Sequence, residues 1–150
     1  MFAKEDNNVR LYLFHSNSCT HCQEEIEFLD EIKDDYPTLE IIKYEISENE
    51  MNYNLYNKVI QKTELNVTGV PFTIIGTDYY VGYTKTIGES IKDSIERYLV
   101  QDQRDVVVDV KNEVNVNDIE WNVNPDNVVN VPGMGKVDAK YISLPILEIT

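Results

Sequence analysis

The spacing of hydrophobic residues predicts a strand followed directly by a helix near the start of the chain. Residues 9–14 read VRLYLF, a run of branched and aromatic side chains typical of a β-strand. Polar residues that favour turns and helix caps follow at 15–18. Pro37 is expected to end the helix. The buried face of this helix is predicted from apolar residues that recur every three or four positions, namely Cys22, Ile26, Leu29, Ile32 and Tyr36.

Further strands and helices are predicted up to residue 100. Ser-x-x-Glu and Thr-x-x-Glu spacings beginning at Ser47 and Thr86 predict capping boxes at two helix starts. The strand candidates are 39–46, 72–75 and 79–81, the last two joined by a tight turn at 76–78. The apolar positions of the two helices are Met51, Leu55 and Val59 in one, and Ile87, Ile91, Ile95, Tyr98 and Leu99 in the other.

This order of elements predicts an α/β domain over residues 9–100. A strand–helix–strand unit requires a parallel pair with a right-handed crossover, so we expect a central mixed sheet flanked by helices. Residues 1–8 form an N-terminal arm. Residues 101–150 form an acidic extension rich in Asn and Val. Its partial alternation at Val106, Val108 and Val110 fits either a strand or two added at the sheet edge or an extended linker.

The charge balance excludes several classes of partner. Lys and Arg total 13 against 27 Asp and Glu, which gives a formal net charge of -14. Such a surface repels phosphate, so binding of nucleic acid or of anionic lipid through a basic patch is not expected. No apolar stretch approaches the roughly 18 residues of a membrane span, and the polar start of the chain lacks the apolar core of a signal peptide. The composition fits either a cytosolic protein or a trimmed segment of an exported one.

The chain's two cysteines, Cys19 and Cys22, require a chemical explanation. A bridge between them closes only a tiny loop and contributes little to folding stability. If the helix begins here, Cys19 lies in its first turn, where backbone N–H groups and the helix dipole lower the thiol pKa below about 8.5. Cys22 lies one turn further on, on the apolar stripe. An exposed nucleophile and a buried resolving thiol form a reversible two-electron switch.

The residues between the cysteines, Thr20 and His21, are candidates for tuning this switch. The His21 imidazole can donate a hydrogen bond or carry positive charge beside the thiolate, which makes the disulfide more oxidising. Glu24 and Glu25 place carboxylates near the same helix start and disfavour a second anion. We expect the net shift in the pKa of Cys19 to be downward.

Two separated motifs resemble the thioredoxin and glutaredoxin-like superfamily: Cys-x-x-Cys at a helix start, and Gly69-Val70-Pro71 before a strand, hairpin and helix. The resemblance covers residues 9–100 and implies a thiol–disulfide oxidoreductase with catalytic residues Cys19 and Cys22. It further implies a cis Val70–Pro71 bond, pairing of the Val70 backbone with a substrate peptide, and a Pro71 that keeps metals from the thiols. The implied partners are protein disulfides or dithiols and an electron donor or acceptor, and no metal or organic cofactor is required.

The sequence departs from the family pattern in three places. Ser18 stands where thioredoxins usually have Trp, and Thr20-His21 replaces their Gly-Pro. The Thr-His pair is closer to the Pro-His of the oxidant DsbA. Leu13 stands where thioredoxins bury a carboxylate. Removal of the Cys22 proton would therefore need another route, such as water or a nearby imidazole, and His15 is a candidate for that transfer.

The end of the chain carries a second resemblance. Residues 135–145, GKVDAKYISLP, resemble the stretch before the first membrane helix in thiol-transporting membrane proteins related to cytochrome c biogenesis. This implies an extracytoplasmic, membrane-associated domain of a longer protein, served by a membrane-bound electron partner. A cytoplasmic location is the alternative.

Two other functions stay open at this point. The fold could bind peptides without turnover, or His15, Cys19, His21 and Cys22 could form a zinc-type site. Tyr79, Tyr80 and Tyr83 fit either a substrate groove or ordinary packing. Trp121 is a candidate anchor of the extension on the domain.

Overall fold

The computed structural model describes residues 6–122, 128–131 and 135–138, and its elements follow the predicted order up to residue 100. A 3-10 turn at Lys33–Asp35 continues the first helix towards Pro37. The strands are β1 (Val9–His15), β2 (Leu39–Glu45), β3 (Phe72–Ile75), β4 (Asp78–Val81), β5 (Val128–Val131) and β6 (Gly135–Asp138). The helices are α1 (Thr20–Ile32), α2 (Glu50–Thr63), α3 (Lys85–Val100) and α4 (Val106–Lys111).

The first strands form a four-stranded mixed sheet in the order β2-β1-β3-β4. β1 and β2 run parallel, joined through α1 as the predicted strand–helix–strand unit requires. β3 is antiparallel to both β1 and β4. The central strand β1 therefore ends between β2 and β3, and its last residues open into the loop that precedes α1.

Alternating side chains of the strands supply two hydrophobic cores, one on each face of the sheet. One face packs Leu11, Leu13 and Ile75 against α1 and α3. The other packs Phe14, Phe72 and further aromatic residues against α2 and α4. The predicted apolar face of α3 is buried at Ile87, Ile91, Ile95 and Tyr98.

The β3–β4 turn requires glycine at its first position. Gly76 has a φ of 55°, in the left-handed region that side chains rarely adopt. A Cβ atom there would also lie 2.6 Å from the Tyr98 ring. The ring of Tyr98 thus packs directly on the turn, and its hydroxyl accepts a hydrogen bond from the Thr77 backbone N–H at 3.2 Å.

Helix caps and faces differ from the prediction at three positions. Asn49 and Thr84 cap α2 and α3, rather than Ser47 and Thr86, because their side-chain oxygens accept the backbone N–H three residues on. Met51 is 82% exposed instead of buried, and Tyr56 lies in the core in its place. The apolar face of α2 is therefore rotated from the predicted stripe.

The first part of the extension is helical, which corrects the expectation of a strand or linker. Asp105 caps α4 by accepting a hydrogen bond from the Val108 backbone N–H at 3.1 Å. Val106, Val107 and Val110 are buried on the sheet face that also holds α2. Trp121 is 6% exposed and packs edge-on against Tyr79, which confirms it as the anchor of residues 101–122.

The remaining described part of the extension forms a hairpin. β5 and β6 pair antiparallel with each other in a separate two-stranded sheet, so they are not additional strands of the four-stranded sheet. Most of the stretch that carries the second resemblance lies outside the described residues, as does the N-terminal arm at 1–5. None of the helices in the described ranges has the length and apolar character needed to cross a bilayer.

Candidate active site

Cys19 is the N-cap residue of α1, one position before the first turn predicted for it. Its backbone is extended, and its Sγ accepts a hydrogen bond from the Cys22 backbone N–H at 3.1 Å. The Cys19 side chain is partly exposed. A sulfur anion here would therefore receive an N–H donor and the positive end of the helix dipole while remaining accessible to a substrate.

Cys22 is fully buried and forms a disulfide with Cys19. The two Cα atoms are 5.2 Å apart, within the ordinary range for a bridged pair. Because Cys22 lies on the buried face of α1, only the Cys19 sulfur can be approached from solvent.

The loop before β3 lies against the disulfide. The Val70 carbonyl oxygen is 3.8 Å from Cys19 Sγ, and the Val70–Pro71 peptide bond is cis. Tyr56 donates a hydrogen bond to the Gly69 carbonyl at 2.9 Å, and the Gly82 N–H donates to the Pro71 carbonyl at the same distance. The loop is thus held from α2 on one side and from the end of β4 on the other.

His21 faces Glu24 rather than the disulfide. Its Nδ1 lies 3.2 Å from Glu24 Oε1, without the alignment of a hydrogen bond. Thr20 is exposed at the start of the helix. A tuning role for either residue therefore stays a prediction, and Glu24 competes with the Cys19 sulfur for any positive charge on the imidazole.

His15 ends β1 beside the site and is 8% exposed. Burial lowers its pKa below the ordinary value, which favours the neutral imidazole. Its Nδ1 is buried and has no hydrogen-bond partner among the described residues. The adjoining loop is fixed through Glu45, which accepts the Asn17 N–H at 2.8 Å, and hydrogen bonds led by the Ser47 hydroxyl lower the pKa of this carboxyl to about 2.

Glu25 occupies a position that the sequence reasoning did not anticipate. The sequence predicts its carboxylate near the helix start, as a charge opposing the thiolate, but the side chain is 0% exposed. Its Oε2 accepts a hydrogen bond from the Thr73 hydroxyl at 2.6 Å. Burial raises its pKa to about 8, and the hydrogen bond from Thr73 only partly opposes that shift. Its position three residues after Cys22, on the same helix face, was the available signal.

A cleft of about 310 Å³ with a mixed polar and apolar lining adjoins Val70. It lies between α2 and the loop at 67–70, and the aromatic rings of Tyr53 and Tyr56 form part of its wall. The sequence reasoning missed these two residues and named Tyr79, Tyr80 and Tyr83 instead. Those three are buried, at 0%, 3% and 8% exposure, and belong to the packing of the sheet and helices.

The residues considered as metal ligands do not form a ligand set. Within 6–122 and the two described strands beyond, no group of three or more His, Cys, Asp or Glu side chains is arranged to hold a metal ion. Cys19 and Cys22 are bonded to each other, and His21 faces Glu24.

Comparison of the sequence with protein-family models and with curated proteins found no match. Comparison with solved structures found similar chains. A glutaredoxin from Archaeoglobus fulgidus is 21% identical, with a TM-score of 0.44 over 58% of this chain and 86% of its own. Thioredoxin O2 from Arabidopsis thaliana is 20% identical, with a TM-score of 0.48 over 61% of this chain and 75% of its own. Mitochondrial thioredoxin 3 from Saccharomyces cerevisiae is 20% identical, with a TM-score of 0.42 over 59% and 81%.

The architecture itself provides the assignment of the fold. A mixed sheet in the order β2-β1-β3-β4 carries helices on both faces. The Cys-x-x-Cys pair begins the helix after β1, and the Val70–Pro71 loop leads into the antiparallel strand β3. These features match the order of elements and motifs that the sequence resemblance predicts, and the chain has a thioredoxin-like fold.

Proposed function

We propose that this chain is a thiol–disulfide oxidoreductase that exchanges disulfides with protein substrates through Cys19 and Cys22. The observation that carries the proposal is the asymmetry of the pair: the Cys19 sulfur is accessible at a helix start, and the Cys22 sulfur is sealed in the core. A purely structural bridge over so short a loop would add little stability.

In the reductive direction, the Cys19 thiolate attacks one sulfur of a substrate disulfide. A bond forms between Cys19 and that sulfur, and the other substrate sulfur leaves with the electron pair. The N–H of Cys22 stabilises the attacking thiolate, since it donates to Sγ in the bridged form at 3.1 Å. Cys22 then attacks Cys19 Sγ, which forms the observed bridge and releases the second substrate thiolate.

The cleft beside Val70 supports a preference among substrates. Tyr53, Tyr56 and Ile60 give it an apolar wall, and it opens next to the backbone that lies against the disulfide. A substrate peptide whose backbone pairs with Val70 would place a neighbouring apolar or aromatic side chain in this cleft. By the family resemblance, Pro71 would lie beside the thiols and keep a metal ion from them.

An electron partner must complete the cycle. After reduction of a substrate the Cys19–Cys22 bridge requires a dithiol donor, and after oxidation of a substrate the dithiol requires an acceptor. The likeness of residues 135–145 to a juxtamembrane stretch supports a membrane-bound partner and an extracytoplasmic location, and a cytosolic dithiol is the alternative.

Reduction of insulin in the presence of dithiothreitol tests the proposal. We expect the chain to accelerate precipitation of the insulin B chain, and Cys19→Ser to return the rate to that of dithiothreitol alone. Cys22→Ser is the matched control, because it keeps the nucleophile and, when mixed with insulin without dithiothreitol, should accumulate a mixed disulfide that is visible by mass spectrometry.

Two outcomes would contradict the proposal. A wild-type rate equal to that of Cys19→Ser would indicate a binding module without turnover. A stoichiometric metal in the purified chain that is lost from Cys19→Ser would indicate a metal-binding protein instead.

A further inference from the structure

The buried carboxyl group of Glu25 lies beside the resolving cysteine. Glu25 follows Cys22 by three residues on α1, a spacing that places two side chains on the same face about 5–6 Å apart at Cβ. Both side chains are 0% exposed. The carboxyl group and the Cys22 sulfur, which must lose a proton during exchange, are therefore both buried in the protein interior.

The sheet holds this carboxyl group from the opposite side. Thr73, which donates to Glu25 Oε2 at 2.6 Å, is the cross-strand partner of Leu13 and lies two residues after Pro71. Leu13 is the position at which the family resemblance leads one to expect a buried acid. Here the acid reaches the same row of the sheet from the helix, and a threonine of β3 takes the place of a backbone or water donor.

One oxygen of Glu25 is left to accept a proton. Oε1 is buried and has no hydrogen-bond partner in the part of the chain that the structure describes. A buried acceptor without a partner is costly, and such groups occur where function requires them. The charge of Glu25 acts on Tyr83, which precedes α3, and the hydrogen-bond donor from β3 is the uncharged Thr73, whose cross-strand partner on β4 is Tyr80.

The protonation equilibrium of Glu25 suits proton exchange near neutral pH. Its pKa is raised by burial to about 8, so its carboxylate is a stronger base than that of an exposed glutamate. The phenol of Tyr83 remains neutral there, because burial first and the Glu25 charge second raise its pKa to about 12. A general base is most efficient when its pKa lies near the operating pH.

We propose that Glu25 accepts the proton of the Cys22 thiol when Cys22 attacks the mixed disulfide, and returns it when the bridge is reduced. This inference rests on the proposed function. In the resolving step the S–H bond of Cys22 breaks and its proton passes to the Glu25 carboxylate. The electron pair of that sulfur forms the bond to Cys19 Sγ, and the bond from Cys19 to the substrate breaks with its pair on the departing thiolate.

Release of thionitrobenzoate from dithiobisnitrobenzoate separates the two exchange steps. With excess reagent the first equivalent reports attack by Cys19, and the second reports resolution by Cys22. We expect Glu25→Gln to slow the second phase at pH 7 by about 100-fold or more, the lower end of the range for removal of a general base. The rate of the first phase should be unchanged. The inflection near pH 8 in the pH profile of the second-phase rate should disappear. Glu27→Gln, at an exposed position of the same helix, is the control.

The outcomes distinguish this role from others. Equal second-phase rates and pH profiles in wild type and Glu25→Gln would overturn the inference. Equal slowing of both phases would indicate a structural role and would also overturn it, as would a larger loss of the second phase in His15→Gln than in Glu25→Gln. A wild-type chain that never releases the second equivalent would instead contradict the proposed function itself.

Discussion

The carboxyl group of Glu25 couples the stability of the fold to pH. Its pKa is about 8 in the folded chain against a reference value of 4.5, so the folded state binds this proton more tightly than the unfolded state does. The stabilisation from this difference is fully present below pH 4.5 and is lost as pH rises through about 8. Burial, which disfavours the charged form, is the cause.

Glu25→Gln should remove this pH dependence. Relative to the variant, the oxidised wild-type chain is expected to lose stability from about pH 5 to pH 8, by up to roughly 1.4 kcal/mol per pH unit. Urea unfolding at a series of pH values measures the difference, and groups that titrate in both proteins cancel. Parallel curves for the two proteins would show that Glu25 does not carry the proton in the folded state.

At the residue scale the sequence identifies the cysteines but not the acid. Cys19 and Cys22 stand out because their spacing and their position after a strand have a chemical meaning. Glu25 does not stand out in the sequence, because a carboxylate on a charged helix is ordinarily solvated. Its place on the buried face of α1 is seen only in the structure, where the buried residues are Cys22, Glu25, Leu29 and Ile32. The hydroxyl of Thr73, which comes from β3, makes that burial tolerable and cannot be inferred from local spacing.

The helices and strands are predictable where a periodic pattern spans the whole element. The long helix α3 and the central strand β1 follow directly from their apolar positions. The short helix α4 cannot be predicted in this way, because valines intrinsically favour strands. Its helical form depends on the Asp105 cap and on burial of its valines against the sheet, and tertiary packing of this kind overrides propensity.

Asp105 is therefore expected to control the docking of α4. It caps the helix and also accepts a hydrogen bond from the Tyr12 hydroxyl at 2.8 Å. Asp105→Ala should lower the free energy of unfolding by about 1–3 kcal/mol, since a cap contributes roughly 1 kcal/mol and the Tyr12 hydroxyl loses its partner.

Urea unfolding followed by the fluorescence of Trp121, the single tryptophan of the chain, measures this effect. Asp105→Asn retains a capping oxygen and should recover part of the loss, and exposed Asp102→Ala serves as the control. A destabilisation by Asp105→Ala no larger than that of Asp102→Ala would contradict the assigned role of the cap.

The whole molecule combines a strongly acidic surface with a cleft beside its disulfide that has an aromatic wall. A net charge of -14 opposes polyanions and favours neutral or basic polypeptides in the encounter with substrate. The overall architecture is predictable because two separated motifs, at 19–22 and 69–71, lie in one consistent order of elements. The cleft at Tyr53 and Tyr56 is not predictable from the sequence, because it depends on the rotation of α2 about its axis.

The reduction potential of the Cys19–Cys22 couple tests the central claim most directly. The intact chain is equilibrated in thiol–disulfide buffers of graded potential, and its free thiols are alkylated and counted by mass spectrometry. We predict one two-electron transition, in which both thiols appear together, between about −270 and about −120 mV. A pair that stays fully bridged or fully reduced across that range, or that loses its thiols one at a time to the buffer, would contradict the account.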